Sequence, residues 1–333
     1  MRRLGQRQVA IVGAAAIPCG RLQANPQLST QVLEHEVLAG CVLDAVSQAG
    51  VTKEAIDAMV FCHPRTYTQQ LYVGTFMANY MRLSTNGVVM EVVGNGMTGG
   101  LAFDQAAQMI ETGRADVALA LGVNFETAIG SAEHMNRSMR ATGDVSFHTP
   151  FGFTPISWYA MDAMRYMHEY GSTRAEIASV AVKNRRHAAL NPLAQYREEI
   201  TLEDVLAQRP IVEPFGLYEV PPRSDGAACI VLACEDVARS LRRPYARVRG
   251  RGFHHEGAHQ ISEVPSDMIG FNAAVKAGGA AYAAAGLRPQ DIDFAELYAP
   301  CTIVEVLVSE ALSLAPRGRG ATARNRRTRQ ARC

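Results

Sequence analysis

The sequence has 333 residues, of which 48% are hydrophobic and 20% are charged, and its formal net charge is +1. This composition is typical of a globular chain that is long enough for two core-forming units. The near-neutral charge excludes a whole-molecule attraction to nucleic acid or to an anionic membrane. Seven scattered cysteines without paired CxxC motifs argue against a zinc site built by this chain, and favour a reducing compartment.

No uninterrupted apolar run has the length of a membrane span. The basic N terminus leads only into a short apolar strand, which does not support a secretory leader. We therefore predict a cytoplasmic protein that partners neither membrane nor nucleic acid.

Apolar periodicity predicts alternating strands and helices in the first part of the chain. In chain order these are a strand at 8–12, a loop at 13–28, a helix at 29–50, a strand at 56–62, a helix at about 69–81, a strand at 88–93, a helix ending near 112 and a strand at 117–121. Ser29 or Thr30 would cap the first helix and Gly50 would end it. Such alternation predicts a layered α/β sheet that is covered on both faces.

Residues 124–210 interrupt this alternation, and we interpret them as an insertion over the top of the sheet. The predicted features are a polar loop at 130–144, an aromatic patch at 147–159, a helix at 159–170 and a helix from Thr173 to about 187. Later segments predict strands at 226–233, 246–252 and 292–297 and helices at 271–286 and 302–314. The second half would then repeat the strand–helix order of the first.

The most informative stretch is 88–126, in which a buried strand meets the turn Gly94-Asn95-Gly96-Met97-Thr98-Gly99-Gly100 before a helix. A helix that begins after a tight turn presents unpaired N–H groups, which suit a nucleophile or an anion.

This turn resembles the nucleophile turn of the thiolase superfamily, where a cysteine precedes a small-Gly-Gly triplet. Thr98-Gly99-Gly100 matches the triplet, and Gly96 occupies the place of the cysteine. Six further segments resemble the sterol-carrier-protein type of thiolase in the family's order, at 165–171, 180–185, 191–194, 200–206, 223–228 and 294–298. The resemblance covers about residues 8–314. It implies a five-layer αβαβα fold of two similar halves, a capping loop domain, a dimer and acyl-CoA chemistry in which the coenzyme A thioester is substrate and no cofactor is needed.

On this basis we predict three regions. They are an N-terminal half at 1–240 with a cap insertion at about 124–210, an incomplete C-terminal half at 245–314, and a basic disordered tail at 315–333. The tail is arginine-rich, lacks acidic residues and has no apolar period. Three explanations are open for it: a solvated arm, an arm that binds nucleic acid or an acidic partner, and a shifted reading frame or truncated gene product.

Tyr298 stands where sterol-carrier-protein thiolases carry a histidine, and a tyrosine there resembles the aldolase branch of the family. The resemblance implies a catalytic tyrosine, since a phenol can relay a proton at a hydroxyl or enolate oxygen. The alternative is a half-buried tyrosine that ends a strand. Gly96 is interpreted either as a turn glycine or as room for substrate beside N–H groups.

The other candidates are predicted to bind substrate. They are Asn95, Gly96, Met97, Thr98, His63 and His148. His148 and its aromatic neighbours would line a substrate tunnel or form a plain cap core. Cys62 is expected in the core, because adjacent strand residues face opposite ways.

Cys301 is either a relocated nucleophile or, as burial of free cysteine favours, a structural residue. His254, His255 and His259 are expected to be surface residues, and no metal site is predicted.

Three functions remain open at this point. The chain would be an acyl-CoA enzyme that cleaves or forms a carbon–carbon bond by a cysteine-independent, retro-aldol-like route on a β-hydroxyacyl-CoA. It would otherwise be a catalytically degenerate subunit that binds acyl-CoA or lipid or supports a partner. An ordinary acetyl-CoA acyltransferase is disfavoured by Gly96. The resemblance also implies a homodimer and a small OB-fold partner that carries zinc outside this chain.

Overall fold

The computed structural model describes residues 7–22, 33–63, 71–83, 87–94, 96–125, 143–255 and 267–322. These residues fall into two compact units. Unit 1 lies within 1–134, 193–195 and 223–248, and unit 2 lies within 135–192, 196–222 and 249–333. The predicted domain boundaries at 240 and 245 stay a prediction.

The elements follow one another with short connections. In chain order they are β1 (Val9–Ala16), α1 (Glu34–Ala49), β2 (Ala58–Cys62), α2 (Val73–Tyr80), β3 (Val88–Val92), α3 (Thr98–Glu111), β4 (Val117–Phe125), α4 (Pro155–Tyr170), α5 (Arg174–Ala189), α6 (Leu202–Leu206), β5 (Pro210–Val212), β6 (Phe215–Gly216), β7 (Asp225–Cys234), α7 (Glu235–Ser240), β8 (Ala246–Arg247), α8 (Asn272–Ala285) and α9 (Thr302–Ala311).

Unit 1 is built on a six-stranded sheet with the order β3-β2-β4-β7-β1-β8. Strand β2 runs parallel to both β3 and β4, whereas β7 is antiparallel to β4 and β1. One apolar cluster joins one sheet face to α1 and α2, and a second joins the other face to α3. The prediction of an α/β sheet covered on both faces is confirmed, and the carboxyl ends of β2, β3 and β4 meet at one edge.

The contact between β1 and α1 depends on a residue without a side chain. A Cβ added at Gly13 would lie 2.4 Å from the carbonyl oxygen of Ala45 and 2.8 Å from the Cβ of Ala49. Gly50 ends α1 in the left-handed conformation, as predicted, with φ of 73°. The start of α1 differs from the prediction, because its N-cap is Leu33. The proposed caps at 29 and 30 lie outside the described residues.

Unit 2 is mainly helical and has its own apolar core. Helices α4, α5 and α9 contribute Ala163, Tyr166, Ile177, Val180 and Ile303 to this core. A fully buried carboxylate, Glu219, accepts two bonds from the Arg174 guanidinium and one from the backbone N–H of Gly216.

Helix starts in this unit follow capping chemistry. The predicted start at Thr173 is one residue early, because Thr173 is the N-cap of α5. Its Oγ1 accepts from the Glu176 N–H at 3.2 Å, and the Glu176 carboxylate accepts from the Thr173 N–H at 2.7 Å. Helix α4 begins at Pro155, four residues earlier than predicted, because proline is well suited to the first helical position.

Two predicted strands of the second half differ from the structure. The strand at 246–252 is only partly formed, and the strand at 292–297 is absent from the described residues. Only Ala246–Arg247 of the predicted strand at 246–252 is regular, and it pairs with β1 in unit 1. Residues 292–297 form no strand, and 293–296 are exposed. An apolar pattern specifies a face, but a strand also requires a neighbour to complete its ladder, and no described residues provide one here. The described residues therefore reproduce the helices of the expected repeat without its sheet.

The predicted disorder of the tail does not extend to residues 315–322. Ala321 is 4% exposed and lies in the core of unit 2. Glu310 accepts hydrogen bonds from the backbone N–H groups of Gly318 (2.9 Å) and Gly320 (2.7 Å). The composition of this segment is that of a disordered arm, but one carboxylate satisfies two of its backbone donors. The remainder of the predicted tail lies outside the described residues.

Candidate active site

The glycine-rich turn lies at the carboxyl edge of the sheet in unit 1, between β3 and α3. Met97 is the N-cap of α3 and its side chain is 54% exposed, whereas Thr98 is buried. An added Cβ at Gly99 or Gly100 would meet no atom within 4 Å. A side chain at either position would therefore point into open space. Gly96 is exposed in the turn, and Asn95 lies outside the described residues.

His63 directly follows β2 at the same edge of the sheet. It is only 6% exposed, and its Nε2 lies 3.4 Å from Oε2 of Glu91 on β3. The other carboxylate oxygen of Glu91 accepts the Gly74 N–H at 2.7 Å, at the start of α2. Nδ1 of His63 is buried and has no hydrogen-bond partner among the described residues. The imidazole is thus oriented by a carboxylate and keeps one nitrogen available for a further partner.

Cys62 and His63 face opposite sides of the sheet, as expected from strand geometry. Cys62 packs with the apolar cluster on the α3 side, and burial raises the pKa of its thiol to about 11. His63 lies against Phe61, which belongs to the cluster on the α1 and α2 side. The two residues therefore do not act as a thiol–imidazole couple.

Tyr298 lies in unit 2, on the extended segment that leads into α9, and it is 60% exposed. Cys301, three residues later, is the N-cap of α9 and is only 1% exposed. Burial, with Glu219 nearby, raises the pKa of the Cys301 thiol to about 12. A buried thiol that resists ionisation is a poor nucleophile, which supports the structural interpretation of Cys301.

The buried face of α4 carries two titratable residues that the sequence analysis did not select. Asp162 is 1% exposed, and burial raises the pKa of its carboxyl to about 7. Burial also raises the pKa of the Tyr159 phenol, and Tyr298, Cys301 and Asp162 add to this effect through their charges. The sequence does contain a signal that could have identified Asp162. Asp162 lies three residues after Tyr159, and this spacing puts an acid on the apolar stripe of a helix.

Glu91 is the other functional candidate that the sequence analysis missed. It is an acidic residue within an apolar run that predicts a buried strand, so its charge required a partner. That partner, His63, is 28 residues away in sequence, which local patterns do not reveal.

His148 lies in unit 2, within the aromatic loop that precedes α4. Its Nδ1 accepts the Asp144 N–H at 3.3 Å, and its ring makes edge contacts with Phe153 and Trp158 at 6.0 Å. Trp158 is buried, but Phe147 and Phe151 are 71% and 77% exposed. The patch therefore combines a small packed cluster with exposed rings. A role for His148 in substrate binding stays a prediction.

Unit 2 also has an open apolar groove of about 480 Å³ along α4. Its lining includes Phe153, Met161, Met164, Val212 and Met268.

Metal ligands do not cluster in the part of the chain that the structure describes. His254 and His255 are exposed, as predicted, and His259 lies outside the described residues. None of the described helices combines the length and apolar character required to cross a membrane.

Comparisons with known proteins place these features in a family. The family model for the thiolase N-terminal domain matches residues 9–236, and the model for the thiolase C-terminal domain-like family matches residues 254–331. The second match runs through the arginine-rich segment.

Two relatives and one solved structure illustrate the similarity. The chain is 32% identical over 299 residues to a steroid side-chain-cleaving aldolase of Thermomonospora curvata, covering 86% of this chain and 74% of that protein. It is 33% identical over 225 residues to the benzoylsuccinyl-CoA thiolase subunit BbsB of Thauera aromatica, covering 67% of this chain. The match spans only 56% of the length of BbsB.

The structure of an Ltp2–ChsH2(DUF35) aldolase superposes with a TM-score of 0.79 at 30% identity, covering 94% of this chain and 79% of that one. The N-terminal model alone matches more than half of the sequence. The chain therefore belongs to the thiolase family and has the α/β thiolase fold.

Proposed function

We propose that this chain cleaves or forms a carbon–carbon bond in a β-hydroxyacyl-CoA by a cysteine-independent, retro-aldol-like route. The observation that carries the proposal is the glycine at the nucleophile position, Gly96, in a chain similar to a steroid side-chain-cleaving aldolase. Without a thiol at this position, the acyl group cannot be transferred to the enzyme as it is in a thiolase. A retro-aldol reaction needs no such acyl-enzyme.

Two roles are proposed, one for the start of α3 and one for Tyr298. In unit 1, the N–H groups at the start of α3 hydrogen-bond to the thioester carbonyl and stabilise the enolate charge that develops there. In unit 2, Tyr298 accepts the β-hydroxyl proton as the carbon–carbon bond breaks. Asn95, Met97, Thr98, His63 and His148 remain the proposed substrate-binding residues.

The substrate class is tested by incubating the purified chain with β-hydroxyacyl-CoA thioesters of three kinds, namely steroid side-chain, aromatic and fatty. Release of a carbonyl product and a shortened acyl-CoA is followed by mass spectrometry, with the chain alone and with a small OB-fold zinc protein added. We expect cleavage of at least one class. Failure to turn over any of them under either condition would contradict the proposal.

Tyr298→Phe tests the proposed acid/base. We expect kcat to fall by roughly 10²- to 10⁴-fold, because the phenol oxygen that accepts the proton is removed while the ring remains. Tyr80→Phe is the matched control, since Tyr80 is on α2, 45% exposed, and packs its ring against Phe76. An unchanged rate in Tyr298→Phe would refute the role of this residue.

The second candidate function is a binding subunit without catalytic activity. It is favoured by the missing thiol at Gly96, since loss of the family nucleophile is also what decay of activity would leave. Acyl-CoA binding in equilibrium dialysis without turnover in any pairing would favour this candidate. An acetyl-CoA acyltransferase is disfavoured, because Gly96 has no thiol and Cys301 is buried.

The proposed partners are an acyl-CoA, a second copy of this chain and a small OB-fold protein that carries zinc. Support comes from two relatives, since one is named as a subunit and the other is a two-component aldolase. The second copy would pair at β3, which lies at the end of the sheet in unit 1. We also propose a cytoplasmic location.

A further inference from the structure

The proposed reaction requires a second proton-transfer group, at the α carbon of the acyl-CoA. When the bond between the α and β carbons breaks, its electron pair enters the thioester enolate, and the α carbon must then take up a proton. Tyr298 is assigned to the β-hydroxyl, so another group has to serve the α carbon. Because the α carbon is bonded to the thioester carbonyl carbon, this group must lie close to the start of α3 in unit 1.

His63 lies next to that place because of the strand register. Strands β2 and β3 are parallel neighbours, and their last residues pair with each other. The next residues of the two strands are His63 and Val93, which are therefore side by side at the usual strand spacing of about 5 Å. The glycine-rich turn begins one residue later at Gly94, where an added Cβ would lie 3.3 Å from Oγ1 of Thr98 in the first turn of α3. Short steps within unit 1 thus connect His63 to the start of α3.

Glu91 determines which nitrogen of this imidazole carries the hydrogen. Its Oε1 accepts the Gly74 N–H at 2.7 Å, and its Oε2 lies 3.4 Å from Nε2 of His63. An ionised carboxylate only accepts hydrogen bonds, so Nε2 carries the hydrogen and Nδ1 of the neutral ring keeps a lone pair. The two nitrogens lie on different sides of the ring, so Nδ1 faces away from Glu91. This arrangement makes Nδ1 the basic atom of the pair.

Nδ1 is also a buried atom whose hydrogen-bonding capacity is unused. It makes no hydrogen bond within the ranges that the structure describes, and His63 as a whole is only 6% exposed. A buried acceptor without a donor is costly to keep, and native structures contain few of them. Such an atom at the carboxyl edge of the sheet is explained if a ligand supplies its partner.

Cys62, the ionisable residue just before His63, is not an alternative. Its side chain packs on the α3 side of the sheet, and burial raises the pKa of its thiol to about 11. A thiol that stays protonated cannot take a proton from carbon. An imidazole side chain can both take up and release a proton at neutral pH, so of these two neighbours only His63 has the required chemistry.

We propose that His63 is the catalytic acid/base at the α carbon of the acyl-CoA, and that Glu91 is a positioning residue that holds its tautomer. This inference rests on the proposed retro-aldol function. It deepens that function by assigning the proton transfer that Tyr298 does not perform.

The proposed steps balance without any further reactant. In the direction of bond formation, Nδ1 of the neutral imidazole takes the α proton, and the electron pair of that C–H bond enters the thioester enolate. The enolate carbon then attacks a carbonyl carbon, and the carbonyl oxygen takes a proton from Tyr298 to become the β-hydroxyl. Cleavage runs these steps in reverse and returns the Nδ1 proton to the α carbon. Between turnovers a proton passes from one residue to the other through solvent, so nothing is oxidised or reduced.

The first test measures the α-carbon step alone. The purified chain is incubated in D2O with acetyl-CoA or butanoyl-CoA, which have α protons but no β-hydroxyl, and loss of the α protons is followed by 1H NMR. We expect the wild type to accelerate this exchange over buffer. His63→Gln should lower the accelerated rate by roughly 10²-fold or more, because an amide cannot take the proton. His168→Gln is the control, since His168 is an exposed histidine on α4 and should leave the rate unchanged.

The second test observes the tautomer and needs no ligand. In protein labelled with 15N at histidine, His63→Gln identifies the ring resonances of His63. We expect the wild type to show a protonated Nε2 and an unprotonated Nδ1.

Glu91→Gln tests the positioning role. If the amide oxygen of the new side chain accepts the Gly74 N–H, its NH2 group faces Nε2 of His63. The ring hydrogen should then move to Nδ1, and α-proton exchange should fall by roughly 10²-fold, as is usual for a catalytic histidine in the wrong tautomer. A side chain that only supported the fold would not change the tautomer. Thermal unfolding of each variant shows whether it is folded.

The outcomes separate the two proposals. No α-proton exchange in the wild type, unchanged exchange in His63→Gln, or a wild-type ring hydrogen on Nδ1 would each overturn the assignment of His63. An unchanged tautomer in Glu91→Gln would overturn the role of Glu91. Exchange that depends on His63, in a wild type that cleaves no β-hydroxyacyl-CoA, would refute the proposed function and leave the assignment of His63 in place. Cleavage at the wild-type rate in His63→Gln would do the opposite.

Discussion

At the scale of single residues, burial decides which groups can ionise. Asp162 and Cys301 are each 1% exposed in unit 2, and in both cases loss of water raises the pKa. The consequences differ because the ordinary pKa values differ. The Asp162 carboxyl is brought into the neutral range, where it can exchange protons, whereas the Cys301 thiol is moved further from it.

Asp162 should make stability depend on pH in an unusual direction. Its pKa is about 7 in the folded chain, well above the 3.8 of an ordinary aspartate, so the folded state binds the proton more tightly. Stability contributed by protonation is then fully present below about pH 4 and is lost as pH rises through 7. The difference corresponds to roughly 4 kcal/mol.

Asp162→Asn tests this linkage through urea unfolding at pH 5 and pH 8. The variant should lose less stability between these two values than the wild type does, since asparagine cannot ionise. Asp293→Asn should behave as the wild type. If the free energy of unfolding changes with pH equally in the wild type and in Asp162→Asn, the raised pKa of Asp162 is disproved.

Cys301 should be nearly inert toward thiol reagents at neutral pH. Iodoacetamide reacts with the thiolate, and a thiol that is buried and has a pKa of about 12 offers very little of it. Peptide mapping by mass spectrometry after brief treatment should find exposed Cys19 modified and Cys301 intact. Rapid modification of Cys301 in the folded chain would revive it as a candidate nucleophile.

At the scale of elements, the packing of α1 on β1 shows how one missing side chain sets a distance. Gly13 permits the backbone of α1 to approach the strand, because any Cβ would collide with the carbonyl of Ala45. The sequence predicts both elements from their periodicity. It does not predict how closely they pack, since that depends on residues 32 positions apart.

Two glycine substitutions in this pair of elements should have opposite effects. Gly40→Ala lies inside α1 where an added Cβ meets nothing within 4 Å, so higher helix propensity should stabilise the chain by about 0.5–1 kcal/mol. Gly13→Ala should destabilise it by about 1–3 kcal/mol through overpacking. Urea unfolding of both variants measures the free energies. If the two substitutions change the free energy of unfolding equally, the close approach of α1 to β1 at Gly13 is contradicted.

The strand predicted at residues 292–297 is wrong for a reason that also belongs to the scale of elements. The apolar pattern of that segment is clear in the sequence, but the structure leaves 293–296 exposed. A helix satisfies its backbone from within, and α8 and α9 therefore form as predicted on either side. A strand depends on a neighbour, so its sequence alone is never sufficient.

At the scale of the whole molecule, the sheet of unit 1 ends at β3, and no described strand pairs with its outer side. Val89 on this strand is 39% exposed, which is unusual for a valine within a sheet. An open edge with apolar side chains is a natural surface for pairing with another chain. This observation supports the proposed homodimer.

Val89→Lys should weaken that dimer, because a charge would be placed in the pairing edge. We expect the dissociation constant from sedimentation velocity to rise about tenfold or more. Val275→Lys is the control, since Val275 is 44% exposed on α8 of unit 2 and is not part of the sheet. A monomeric wild type, or a dimer that is unaffected by Val89→Lys, would show that β3 is not the interface.

The sequence alone determined the features that depend on neighbours along the chain. Periodicity and capping residues located the alternating elements of the first half and the start of α5, and the turn at 94–100 with Tyr298 indicated the family. Tertiary structure decided the features that depend on distant partners. His63 is a buried imidazole whose Nε2 lies beside the Glu91 carboxylate, and the pKa of the Asp162 carboxyl lies near 7 because the core of unit 2 excludes water from it. Local pattern specifies which face is apolar, whereas only packing determines what that face meets.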